Sequence, residues 1–185
     1  MMAGGERAMA ALIEPHIPAL RRFAWALLRD RTAADDLVQD CLEHAISSWQ
    51  FRRHETDAKA WLFAILHNLF RMGRRSASRR GHVLPLDEQG DEGFQIADPT
   101  ADHVAEHRLV WRDALIALEA LPEDQRIVLL LVGVEDFSYD VAAKLTGVPV
   151  GTVMSRLARG RERLRRLIAG DSRADLAKPP LRRVK

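Results

Sequence analysis

Apolar residues recur every three or four positions along most of the chain, the spacing of amphipathic helices rather than of strands. Leu20, Ala24, Leu27 and Leu28 form one such stripe. A second helix is expected from Thr32, whose hydroxyl can cap it, with Asp35 and Asp36 in a first turn that favours anions. Its stripe reads Leu37, Cys41, Leu42, Ala45 and Ile46. Leu37 and its neighbour Val38 point about 100° apart on a helix, so they cannot both face one core. One of the two is a candidate partner contact. A third helix follows Asp57, with Trp61, Ile65, Leu69 and Met72 on one face and Gly73 interrupting it near its end. The polar stretch 49–56 between these helices holds Phe51, Arg52, Arg53 and His54 and reads as a loop. Stripes of this kind predict a small helical bundle.

The pattern stops at 81–101. Gly81, Pro85, Gly90, Gly93 and Pro99 stand there among Asp87, Glu88, Asp91, Glu92 and Asp98. Glycine and proline at that density argue against a regular element. A structureless stretch of this length fits a flexible acidic linker better than the inside of one domain. Helical periodicity resumes at about 102–118, with Val104, Trp111, Leu115 and Leu118 on the buried side. Leu121-Pro122 ends that helix, Glu123–Val132 forms the next, and two short helices follow around Thr146-Gly147-Val148. The fold class is therefore all-α: two small helical domains, at 8–80 and 102–170, joined by the linker 81–101. The basic end from 171 to 185, with Pro179-Pro180, is expected to be disordered.

The segment from Ser138 to Leu167 is the most informative. Ser138 can cap a short helix running to Leu145, and Gly147 suits the left-handed position that ends it. Small Ala142 and Ala143 let a second helix cross close by. Val141, Leu145, Val148, Val153 and Leu157 would pack the pair. The second helix starts near Val150, runs past Arg166 and offers Thr152, Ser155, Arg156 and Arg159 outward. This is the build of a DNA-reading helix-turn-helix, whose second helix enters the major groove. Arg156 or Arg159 could address guanine, and later arginines such as Arg161 would hold phosphates. A helical hairpin with a solvated arginine face has the same local pattern.

Charge sharpens the picture. The 185-residue chain has a net charge of only +2, yet its basic residues are segregated. Arg71, Arg74, Arg75, Arg79 and Arg80 form one block, and Arg156, Arg159, Arg161, Arg163, Arg165 and Arg166 another. Two separate arginine blocks suit two contacts with a polyanion, because arginine recognises phosphate and guanine with a planar fork. The hydrophobic fraction of 47% and charged fraction of 29% are ordinary for a soluble protein. No apolar run reaches membrane-spanning length and no signal peptide is evident. A single cysteine, Cys41, allows no internal disulfide, so a cytoplasmic location is expected.

The stretches ALEALPEDQRIVLLL and FSYDVAAKLTGVPVGTVMSRLARGRERLRRL resemble region four of an extracytoplasmic-function (ECF) sigma factor of the sigma-70 family. DDLVQDCLEHAI resembles the polymerase-binding helix of region two, and AWLFAILHNLFRMGRR its promoter-melting helix. The resemblance implies promoter recognition on behalf of RNA polymerase, with no catalysis and no cofactor. It implies that Asp36, Leu37, Val38, Gln39 and Asp40 dock on the clamp helices of the beta-prime subunit. Trp61, Asn68, Arg71, Arg74 and Arg75 would meet the minus-ten element, and Phe51, Arg52, Arg53 and His54 would hold a base extruded from the non-template strand. Thr152, Ser155, Arg156, Arg159 and Arg161 would meet the minus-thirty-five element while the second domain docks on the beta flap. An anti-sigma factor is the implied regulator. His67 and the run Phe70-Arg71-Met72-Gly73 depart from the commoner family pattern, and Ala158 offers little side chain, so neither promoter sequence can be read off.

Other readings are weaker. His103-Val104-Ala105-Glu106-His107 places two imidazoles one helical turn apart, as in some zinc enzymes, but no third ligand follows. Cys41 falls on an apolar stripe and reads as a small buried hydrophobe rather than a redox switch. A sigma-like mimic that sequesters an anti-sigma factor without binding DNA would lack the basic blocks. A simple helix-turn-helix repressor would leave the first half of the chain unexplained.

Overall fold

The computed structural model describes residues 2–51, 57–79 and 116–169. All its regular elements in these spans are helical. Helix α1 (Met2–Ile13) leads through a 3-10 turn, Glu14–His16, into α2 (Ile17–Leu28). Pro18 stands in the first turn of α2, where its missing N–H costs nothing. Arg29, with φ 56°, ends α2 in the left-handed conformation. Helix α3 (Arg31–Ser47) follows at once. Its cap is Asp30, whose carboxylate accepts from the Ala33 amide at 3.0 Å, and not Thr32, which lies inside the first turn.

Helix α4 (Ala58–Arg79) starts at the expected place after Asp57. Gly73 does not interrupt it: the helix runs on, which glycine permits at a cost of about 1 kcal/mol against alanine. The buried faces of α3 and α4 are also turned from the expected stripes. On α3 the core takes Ala34, Val38, Cys41 and Ala45, while Ile46 is exposed. On α4 it takes Leu62, Phe63, Leu66, His67 and Phe70, while Met72 points to solvent. Trp61, Ile65 and Leu69 pack half-buried at the edge.

The chain re-enters description in a helical turn at 116–119. The expected helix from 102 otherwise lies outside the described residues, as do the linker 81–101 and the basic end 171–185. Helix α5 (Glu123–Gly133) starts after Pro122, α6 (Tyr139–Thr146) after Ser138, and α7 (Val150–Ile168) after Pro149. Ser138 Oγ accepts from the Val141 amide at 3.3 Å, and Gly147 closes α6 with φ 69°. Leu145, Val153 and Leu157 are buried between α6 and α7, with Val141 and Val148 at the margin. At the crossing of α5 and α7, Gly160 is buried, and a Cβ there would sit 3.4 Å from Gln125 Cβ, in ordinary contact. Ser138→Ala leaves an N-terminal amide of α6 uncapped and is expected to cost about 1 kcal/mol, measured by urea unfolding.

The two helical units do not stand apart. One continuous core cluster runs from Ile13 in α1 to Leu157 in α7. Phe63 of α4 links them, with its ring edge-on to Phe23 at 5.2 Å and to Phe137, from the α5–α6 loop, at 5.0 Å.

Candidate nucleic-acid and polymerase interface

The outer face of α3 is acidic. Asp36, Gln39 and Asp40 are exposed, and Gln39 Nε2 donates to Glu43 at 3.0 Å. Leu37 is half-buried. Val38 is 2% exposed, so it holds α3 to the core and offers nothing to a partner; this corrects its expected place in the docking surface. Of the two neighbours, the core takes Val38.

The 3-10 turn Trp49–Phe51 follows α3. Trp49 packs edge-on against Trp61 of α4, with centroids 6.3 Å apart. Phe51 at its tip is 86% exposed, an aromatic face open to stacking. Arg52, Arg53 and His54 lie outside the described residues. Asn68, Arg71, Arg74 and Arg75 lie exposed along the second half of α4. Arg74 Nε pairs with Glu123 of α5 at 2.9 Å. Arg71 reaches across to Gly147, its guanidinium 4.0 Å from where a Cβ would stand.

His67, one turn before Arg71, is the surprise of α4. It is 3% exposed, and its Nδ1 has no hydrogen-bond partner among the described residues. Burial first, and the nearby Arg71 charge second, push its pKa down to about 4, against a hydrogen bond with the Leu145 backbone. The imidazole is therefore neutral at pH 7 and bridges α4 to α6. The sequence signal was its place in the row 62, 63, 66, 67, 70, overlooked because histidine is polar.

The helix-turn-helix presents α7. Thr152 is half-buried; Ser155, Arg159 and Arg161 are exposed. Ser155 Oγ donates to the Thr152 carbonyl at 3.0 Å. Arg159 folds back on its own helix, Nε donating to the Ser155 carbonyl at 3.2 Å. Arg156 is less free than its position suggests. Its side chain is 24% exposed and Nε pairs with Asp124 of α5 at 3.0 Å. Farther along, Arg166 Nε pairs with Glu162 at 3.0 Å, and Arg165 pairs with the same carboxylate. Exposed pairs of this type contribute little and yield readily to phosphate.

Cys41 is fully buried, and its thiol donates to the Leu62 carbonyl at 3.4 Å. Burial pushes its pKa up to about 12, far from the thiolate that redox or metal chemistry needs. No cluster of three or more metal-ligating side chains occurs among the described residues. His103 and His107 lie outside them. No described helix is long and apolar enough to cross a membrane.

Similarity to known proteins follows the same division. Residues 114–164 match the family described as Sigma-70, region 4. Residues 13–67 match the family described as the Sigma2 domain of PhyR. The ECF RNA polymerase sigma factor EcfG of Rhodopseudomonas palustris (strain TIE-1) is 38% identical over 159 residues, 86% of this chain and 84% of its own. The chain belongs to the ECF RNA polymerase sigma factors. Among solved structures, the sigma factor RpoE of Bartonella quintana, in complex with the anti-sigma factor NepR, is 33% identical with a TM-score of 0.68. The match covers 84% of this sigma factor and 93% of RpoE. CnrH, solved with the cytosolic domain of CnrY, is 25% identical with a TM-score of 0.67, covering 92% and 93%.

Proposed function

We propose that this sigma factor brings promoter specificity to core RNA polymerase through two basic helices, α4 and α7, and catalyses nothing itself. The observation that carries the reading is the helix-turn-helix: a capped α6, a left-handed turn at Gly147, and an exposed polar and basic face on α7. Ser155, Arg159 and Arg161 face the minus-thirty-five element, with Thr152 at the edge. Arg156 joins them by exchanging Asp124 for DNA. Asn68, Arg71, Arg74, Arg75 and Phe51 serve the minus-ten element, together with Arg52, Arg53 and Trp61. An exposed aromatic beside arginines suits an unstacked base and single-stranded phosphates. The functional units are 8–80 and 102–170.

Asp36, Gln39 and Asp40, with the edge of Leu37, form the docking face for the polymerase clamp helices. Charge reversal at Asp36 and Asp40 together (Asp36→Arg, Asp40→Arg) leaves the core intact, since both side chains are exposed. The variant is expected to lose core-polymerase binding at least tenfold, on the scale of about 1.4 kcal/mol per decade. Affinity measured with purified core enzyme checks this, and unchanged binding would move the docking face off α3.

DNA binding by the isolated chain is weak and salt-dependent. If the two arginine faces neutralise about six phosphates, the slope of log K against log salt is roughly −5. Fluorescence anisotropy with a duplex across 50–200 mM salt measures it, and a flat line contradicts the reading.

An anti-sigma factor is the expected regulator, a reading supported by the complexes of RpoE with NepR and of CnrH with CnrY. The chain works where the polymerase is, in the cytoplasm. The match of 13–67 to a PhyR domain raises a second reading, an anti-sigma decoy that leaves DNA alone. The exposed arginines on both α4 and α7 speak against it.

A further inference from the structure

In its first three turns, helix α7 exposes one large apolar side chain. Met154 stands in the second turn and is 52% exposed. The core takes its neighbours Val153 and Leu157 instead, on the side packed against α5 and α6. Gly151, Ser155 and Ala158 share the exposed face with Met154, at helical spacings of three and four. None of them covers it. A Cβ on Gly151 would meet nothing within 4 Å. Ser155 turns its hydroxyl back to the Thr152 carbonyl at 3.0 Å, and Ala158 has no side chain beyond Cβ. Side chains on a helix lean toward its N-terminus, so Met154 lies toward the end of α7 that a helix-turn-helix presents to base edges.

The long cations of the same turns are placed differently. Arg156 and Arg159 lie about 160° and 140° round the helix from Met154. Arg156 pairs with Asp124, and Arg159 folds back on Ser155. Both are donors, suited to the acceptors on base edges and phosphates. Met154 donates nothing. It offers a flexible, polarisable apolar end that fits an apolar partner. The floor of the major groove presents donors, acceptors and a single apolar group, the C5-methyl of thymine.

We propose that Met154 reads a thymine in the minus-thirty-five element by laying its thioether end on the C5-methyl group. This rests on the assignment of α7 as the helix that enters the major groove. The contact is selective, because a methyl group stands at a given place in the groove for only one of the four base-pair arrangements. It carries no charge, so it adds sequence preference without adding to the salt dependence of binding.

The test uses the holoenzyme, reconstituted from core polymerase and the full chain, on a promoter fragment from which the parent starts transcription. Each thymine of the upstream element, on either strand, is replaced singly by deoxyuridine. The replacement removes the methyl and keeps every hydrogen-bonding group. Affinity is read by competition against the unmodified fragment. At one position the parent is expected to bind the deoxyuridine fragment roughly fourfold more weakly, the value of one methyl group withdrawn from water. Met154→Ala and Met154→Gln should bind the two fragments alike at that position, and Met154→Leu should keep the preference. Ala and Gln differ in size and polarity and the site is exposed, so a folding defect in one variant leaves the other to decide. A parent indifferent to every replacement overturns the inference. A preference that persists in both Met154→Ala and Met154→Gln overturns it too, as does an upstream element made of G·C pairs alone. Run-off transcription by the parent, scored first, separates these failures from a failure of the sigma assignment, which would show as no new start site and would remove this inference with it.

Discussion

Phe63→Ala is expected to remove about 3–5 kcal/mol of stability, the range for truncating a fully buried aromatic side chain. Phe63 is 0% exposed and is the ring that joins the two halves of the core, touching Phe23 on one side and Phe137 on the other. The alanine leaves a cavity whose walls belong to both units, and both edge-on ring pairs go with it. Against a total of about 5–15 kcal/mol for a typical domain, the loss is a large fraction. A chain of this size shifts its Tm by about 2–4 °C per kcal/mol, so a fall of roughly 10 °C should accompany it. Met72→Ala, on the exposed side of the same helix, should stay within about 0.5 kcal/mol and serves as the control. Urea unfolding of both variants decides the matter: equal, small losses would mean that the two units do not share a core.

The second large effect is a fall in stability as pH drops below 6.5. His67 is held neutral in the fold, with its pKa at about 4 rather than 6.5, chiefly by burial and then by Arg71. Above pH 6.5 both folded and unfolded chains carry a neutral imidazole, and the fold loses nothing through it. Between pH 6.5 and 4 the unfolded chain binds the proton and the folded chain does not, so acid favours unfolding. Below pH 4 both forms are protonated and the contribution levels off. The linkage amounts to about 2 kcal/mol between pH 7 and pH 5 for this one group. Burial and the Arg71 charge oppose the proton while the Leu145 backbone favours it, so the loss comes from placing a charge inside the core. His67→Gln keeps a donor without the titration. Unfolding free energies at pH 7 and pH 5 should therefore differ less for the variant than for the parent. Parallel losses in the two proteins would remove His67 from the account.

What was legible in the chain was what local chemistry decides. The helix-turn-helix reads straight from Ser138, Gly147 and the start at Val150, because a cap and a left-handed turn depend on the residues within one helical turn. The start of α4 after Asp57 is of the same kind. The rotation of α3 and α4 was not legible, because both helices are packed on more than one side. Helix α4 meets α1, α2, α3 and α6, so its buried face is wide and reaches past the row of Trp61, Ile65 and Leu69 to Leu62, Phe63 and Leu66. A polar residue inside that face, His67, hid it. The choice of Asp30 over Thr32 as cap turned on two residues that are both good caps, and the sharp left-handed exit of α2 at Arg29 favoured the earlier one.

The candidate site divides in the same way. Arginine blocks on exposed helix faces are visible from spacing alone, and so are Asp36 and Asp40. The ion pairs that occupy those arginines are not, because Asp124 and Glu123 lie far along the chain from Arg156 and Arg74, which they meet on other helices. Glu135, held between Arg22 and Lys59, carries no local sign of its burial. Its surroundings exist only once both units are folded and in contact.

The most direct measurement is run-off transcription on fragmented genomic DNA with core RNA polymerase, in the presence and absence of this chain. The account predicts new, defined start sites that share two upstream elements, and predicts that Asp36→Arg with Asp40→Arg abolishes them all. Tight binding to core polymerase without any new start site would contradict it, and so would start sites that appear equally without the chain.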